Sequence, residues 1–230
     1  MDPLNCDRLS VREVNDALRA LPSGESVRIG NPRGRHNLAV GLADPVDITV
    51  EGNAGYFLGG LGGRSDGTGP DIVVDGFVGW SVGENLMGGS IRVRGSASQS
   101  AGSSAHGGIV MVEGDASLRA GISLKGGTVA IAGDAGAMAG FMAQAGTILI
   151  GGHAGHGLGD SLYEAVIYVG GSIASLGADA REEELTDDDV LVVKRLVAHA
   201  GFDHIDPTRV RRVGSAKQLY HFSSHNHGSY

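Results

Sequence analysis

From Ile48 onward, apolar and polar residues alternate for a few positions, break at a glycine, and the same order then returns. Residues 72–90 read IVVDGFVGWSVGENLMGGS, 91–109 IRVRGSASQSAGSSAHGGI and 110–128 VMVEGDASLRAGISLKGGT. Residues 129–147 read VAIAGDAGAMAGFMAQAGT, 148–165 keep the register, and a truncated copy fills 166–180. Positions 72, 91, 110, 129, 148 and 167 are all Ile or Val, as are the positions two further on. Such alternation predicts a short strand in every copy, with one face buried. Three more columns are apolar: Val78, Ala97, Ala116, Ala135 and Ala154; Val82, Ala101, Ala120, Ala139 and Leu158; Leu86, Ala105, Leu124, Ala143 and Leu162.

The glycines keep the same period. Gly76, Gly95, Gly114, Gly133, Gly152 and Gly171 lie nineteen residues apart, as do Gly83, Gly102, Gly121, Gly140 and Gly159. A fixed short period marks a repeat architecture, in which one unit cannot bury its own apolar face and stability comes from stacking. Identical registers would then sit about 4.8 Å apart, giving about seven coils and a rod on the order of 30 Å long. The predicted fold is all-β, a parallel β-helix over residues 46–180, with β-branched residues on one side of a narrow core and alanines on the other. The glycines fall at corners, where the chain needs a positive φ or a close approach of neighbouring backbones.

Both ends of such a stack need covering, because an open coil presents unpaired backbone groups. Residues 1–45 supply a helical segment, Leu9–Leu21, with Ser10 or Asn15 near its start; its expected role is to cap the first coil. Residues 181–230 change character to an acidic helix and an extended tail. Thr186 is a good N-cap, Asp187, Asp188 and Asp189 suit the positive end of the helix dipole, and Gly201 is a natural stop.

Composition narrows the function classes. A formal charge of −8 argues against a nucleic-acid binder, which needs a basic face. With Cys6 as the one cysteine, no internal disulfide or cysteine-based metal cluster can form. The start, MDPLNCDRLS, is not a secretory signal, and no stretch approaches a membrane-spanning length, so a cytoplasmic protein is expected.

Candidate chemistry is sparse. Asp115, Asp134 and His153 share one outward register in adjacent coils. Stacked carboxylates would repel and push one pKa up, as in an acid/base pair, and pectin-cleaving β-helices use aspartate clusters of this kind. The simpler reading is an Asp after a corner glycine bonding a local backbone N–H. Asp75, Arg94 and Glu113 form an alternating-charge register, most simply structural. His153–Asp160 (HAGHGLGD) looks faintly like a phosphate loop, but no helix pattern follows it. His221, His225 and His227 have a spacing that permits a metal, though a histidine-rich tail is more often solvated. Trp80, the sole tryptophan, should face outward as an interface anchor.

Written finely, the glycines spell G-xx-G-xxx-G. Gly52, Gly55 and Gly59 share this spacing with Gly76, Gly79 and Gly83, with Gly133, Gly136 and Gly140, and with Gly152, Gly155 and Gly159. Gly95 with Gly102, and Gly114 with Gly121, keep it around Ser98 and Ser117. Over roughly residues 45–180 this resembles the C-terminal domain of the large subunit of glutamate synthase, a right-handed β-helix. As a free-standing chain it is most similar to the small β-helical subunits of N-methylglutamate synthases (methylamine–glutamate N-methyltransferases). The resemblance implies a non-catalytic scaffold with no cofactor of its own and no catalytic residue. Its partners would be a class II glutamine-amidotransferase-like subunit and a synthase-like subunit holding FMN and an iron–sulfur cluster. Competing families are the β-helical scaffold of formylmethanofuran dehydrogenase and an independent carbohydrate-acting β-helix enzyme. A left-handed acyltransferase helix needs eighteen-residue coils, and nineteen argues against it.

Overall fold

The computed structural model describes residues 3–218. In chain order its elements are β1 (Leu4–Asn5), α1 (Val11–Arg19), β2 (Ser26–Gly30), β3 (Asp47–Glu51), β4 (Asp71–Val74), β5 (Ser90–Val93) and β6 (Ile109–Val112). There follow β7 (Lys125–Ile131), β8 (Ala145–Ile150), β9 (Val166–Val169), β10 (Ala180–Glu183), α2 (Asp187–Ala200) and β11 (Arg211–Ser215). Strands β1 to β9 stack in sequence order with every pairing parallel. The register is the one the columns require: Ile72 opposite Ile91, Ile91 opposite Val110, Val129 opposite Ile148, Ile148 opposite Ile167. A second line of single bridges joins Ala54, Val78, Ala97, Ala116, Ala135, Ala154 and Ile173 from coil to coil. The fold is a parallel β-helix of about eight turns.

The stack starts before residue 46. Ser26–Gly30 already pairs with Asp47–Glu51 along its whole length, so residues 26–45 form a turn of their own. Its period is not nineteen, and the next turn is longer still because of the loop at Arg64–Gly69. That loop is tied by Asp66, whose carboxylate accepts from the Thr68 N–H at 2.9 Å and hydroxyl at 2.6 Å.

Helix α1 closes the N-terminal end. Ser10 is its N-cap, in a capping box with Glu13, while Val14 and Leu18 are buried in the main core. Asn15 does not start the helix. It is buried and binds the first coil, donating to the Asn37 carbonyl and accepting the Ala39 N–H, both at 2.8 Å.

At the other end α2 is followed by a strand that the sequence pattern does not announce, while the end of the expected extended tail, residues 219–230, lies outside the described residues. Residues Arg211–Ser215 return as β11, antiparallel, and insert between β9 and β10. Their arginines tie the inserted strand to its surroundings: Arg211 reaches Glu182 and Arg212 reaches Glu183 on β10, and Arg212 also reaches Asp189 of α2. Thr186 and Gly201 do bound α2, the latter left-handed at φ +70°.

The outer face of the sheet carries a second core. Met111, Ala130, Leu149 and Tyr168 form a column on β6–β9, buried under Val193, Val197 and Ala200 of α2 and under Phe202 and Ile205. These strands are covered on both faces, which is why IVMV, ILI and IYV read as unbroken apolar runs.

Candidate functional site

The outward column that holds Asp115, Asp134 and His153 is a hydrogen-bonded spine. The Asn53 side chain accepts the Phe77 N–H at 3.1 Å. Ser96 accepts the Asp115 N–H at 3.1 Å, Asp115 that of Asp134 at 2.8 Å, and Asp134 that of His153 at 2.6 Å. His153 Nδ1 accepts the Ser172 N–H at 2.9 Å, which leaves its proton on Nε2 in the neutral ring. Each acceptor serves the next coil rather than its own turn, so the bond is between neighbours in the stack and not local. The structure thus brings the three candidate residues together, but in single file on an exposed edge. Carboxylates that face a common substrate pocket would be needed for acid/base work.

One rung is missing between Asn53 and His153. Phe77 stands where the other coils hold Asn, Ser, Asp, Asp and His, and a phenyl ring accepts nothing. Among the described residues no group receives the Ser96 N–H.

The glycine columns have three different reasons. Gly95, Gly114, Gly133, Gly152 and Gly171 each donate to the glycine carbonyl one coil back at 2.8–3.1 Å, starting from Gly76. A Cβ on Gly152 would lie 2.8 Å from the Gly133 carbonyl carbon and 2.1 Å from Asp134 Oδ1. The middle positions Gly79, Gly136 and Gly155 sit as closely on the preceding coil's backbone, and Gly55 on Gly34 and His36, although Ser98 and Ser117 show that a side chain fits this register. The last column, Gly59, Gly83, Gly102, Gly121, Gly140 and Gly159, is left-handed throughout, with φ between +65° and +72°. Gly121 shows why: besides its φ, a Cβ there would lie 2.4 Å from Ile148 Cδ1, inside the core. Gly52 takes φ +124° beside Pro32.

Of the charged register, Arg94 pairs with Asp75 at 2.7 Å, but Glu113 turns to Arg92 at 3.1 Å. Arg92 also donates to the Ala200 carbonyl at 2.8 Å, satisfying the C-terminal end of α2. No helix follows the HAGHGLGD stretch; its Asp160 accepts the Ala178 N–H at 3.0 Å and Leu158 bridges to Leu176. His221, His225 and His227 lie outside the described residues. Among the described residues no three His, Cys, Asp or Glu side chains gather as a metal site, and no helix is long and apolar enough to cross a membrane.

Two features had no clear signal in the repeat. Under the start of α2, Asp189 accepts from the Tyr168 hydroxyl at 2.5 Å, from Arg212 Nε at 3.1 Å and from the Thr186 hydroxyl at 2.6 Å. Burial acts to raise the Asp189 pKa, but the hydrogen bonds from Thr186 and Tyr168 outweigh it and hold the carboxyl below its ordinary value. Burial first, and then Asp189, pushes the Tyr168 phenol up.

The second is an aromatic stack on the outside of the early coils. The His36 and Tyr56 rings lie 4.3 Å apart and Tyr56 and Trp80 5.1 Å apart, all nearly parallel. Trp80 does face outward, at 47% exposure, and Phe77 beside it at 56%. Between them is an open groove of about 760 Å³ floored by Gly76, Gly79, Gly95 and Ser98.

Comparison with known proteins adds a relative of matching length. Over 223 residues the chain is 47% identical to Protein GlxC of Rhizobium meliloti (strain 1021), and the match covers 96% of each chain. The chain belongs to the family of Protein GlxC. No family model matches the sequence. At this identity and coverage the GlxC relationship embraces the first turn, the solenoid and α2 together, rather than the repeat alone.

Proposed function

We propose that this GlxC-family chain is a non-catalytic structural subunit of a glutamate-synthase-like complex, working in the cytoplasm. The observation that carries this reading is the spine. The polar residues in the most catalytic-looking register each hold the next coil's backbone, which is scaffold chemistry. The G-xx-G-xxx-G resemblance to the glutamate synthase β-helix supplies the kind of complex, and a solenoid supplies long, regular contact faces. The partners would be a class II glutamine-amidotransferase-like subunit and a synthase-like subunit with FMN and an iron–sulfur cluster. The finer reading is N-methylglutamate synthesis, glutamate plus methylamine giving N-methylglutamate and ammonia.

Purification of the tagged chain from its native host, with mass spectrometry and an absorbance spectrum, tests this. Co-purification of both chains with a flavin and iron–sulfur spectrum is the expected result, and methylamine-dependent turnover then tests the finer reading. A lone, colourless chain would overturn the proposal.

A further inference from the structure

The groove between Phe77 and Trp80 combines features that the stack itself does not need. Tyr56, Phe77 and Trp80 hold 39%, 56% and 47% of their surface in solvent, although aromatic side chains are the largest apolar surfaces a coil can bury. The floor is made of glycine, alanine and serine, so another backbone can approach it closely. No charged side chain lines it, on a chain whose net charge is −8. The spine breaks at this point too: Phe77 replaces an acceptor, and the N–H of the exposed Ser96, lining the groove, has no partner among the described residues and faces solvent.

We infer that this groove seats an extended, uncharged segment of another polypeptide, whose main-chain carbonyl takes the Ser96 N–H. The inference rests on reading the chain as a subunit of a larger assembly. Charge matching selects the segment: a charged side chain laid against Phe77 and Trp80 would lose hydration and meet no opposite charge, while the attraction of a ring face for a cation returns only a fraction of that loss. Its extended form follows from the donor to be met. An extended strand offers free carbonyls along its length, whereas a helix has its carbonyls paired except in the last turn. Pre-stacking of Trp80 on Tyr56 and His36 fixes one wall before binding, which reduces the ordering cost. A glycan fits less well, because both faces of Tyr56 are already covered and the floor offers few polar groups. A second copy using the same patch would bury the aromatic walls, but the carbonyls of Phe77, Val78 and Trp80 beside its own groove are already paired along the stack and offer the Ser96 N–H no free acceptor.

The test is photo-crosslinking in the native host, with Phe77→p-benzoylphenylalanine in the full chain, followed by sequencing of the crosslinked peptide. The expected product joins position 77 to a different polypeptide, within a run of at least five uncharged residues. Amide exchange gives a second readout: the Ser96 N–H should exchange at least ten-fold more slowly in the assembly than in the isolated chain, with the Asp115 N–H unchanged. Crosslinks to a second copy, to a glycan, to a charged segment, or to nothing would overturn the inference. An intact assembly with no crosslink and unprotected Ser96 sinks the groove while leaving the proposed function standing. A chain that purifies alone, with Ser96 exchanging freely, removes both.

Discussion

The Asp134 carboxylate accepts the His153 backbone N–H at 2.6 Å, one coil further along the stack. A residue that from its column looks like half of a catalytic pair is therefore a link between layers.

Replacing Asp134 by Asn keeps the Oδ1 acceptor, and the chain should unfold within a few tenths of a kcal/mol of wild type. Asp134→Ala leaves the His153 N–H to water and should cost about 0.5–1.5 kcal/mol. Urea denaturation of the two variants reads the difference. Turnover of the assembled complex should be unchanged in Asp134→Asn; a large loss there would restore a catalytic role.

The glycine columns should differ in tolerance. Gly121→Ala combines a left-handed φ with a Cβ 2.4 Å from Ile148 Cδ1, and overpacking alone costs about 1–3 kcal/mol. Left-handed strain adds roughly 1–2 kcal/mol. Gly136→Ser enters a register that holds Ser98 and Ser117 and needs no left-handed φ, but its Cβ would lie 2.9 Å from the Ser117 carbonyl carbon. The coils must shift slightly, so the cost should be smaller rather than nil. Paired thermal melts should rank Gly121→Ala below Gly136→Ser.

Acid should loosen α2 before it opens the stack. The folded-state Asp189 pKa lies below its ordinary value, so its contribution is complete above about pH 4 and is lost as pH falls through the folded pKa. Tyr168 works in the opposite sense. Its raised pKa gives stability that is complete below about pH 10 and lost above it. Hydrogen exchange of the α2 amides across pH should show protection falling at both extremes, with Asp189→Asn removing the acid limb.

Leu149 is fully buried in the outer core, and Leu149→Ala should cost about 2–5 kcal/mol. Limited proteolysis should then cut within α2 while the coils stay resistant. Simultaneous loss of both would mean that the helix and the stack unfold as one unit.

The stack was legible because its period is strict: columns such as Ile72, Ile91 and Val110 identify their neighbours by spacing alone. The first turn was not, since Val27 and Ile29 alternate correctly but Ser26–Gly30 lies twenty-one residues from its partner strand. The outer core hid for a different reason. Met111, Ala130, Leu149 and Tyr168 share a column, but their covering helix is distant in sequence, and no local pattern pairs Leu149 with Val193. At the candidate site, Asp115, Asp134 and His153 could be aligned from the sequence. The direction of their bonds could not, because it depends on which side chain leans toward the following coil. The missing rung at Phe77 becomes meaningful only once that direction is known.

Strand β11 has a consequence for how long such a molecule can be. A parallel coil is a template: its open edge specifies the coil that follows, and nothing in the repeat says when to stop. Residues Arg211–Ser215 run backward along β9 and fill the place where a further coil would pair, and β10 outside them ends the sheet in the charged run Arg181–Glu183. The length of the rod is thereby written into the chain as a stop signal, and any surface that measures distance along it inherits a fixed ruler.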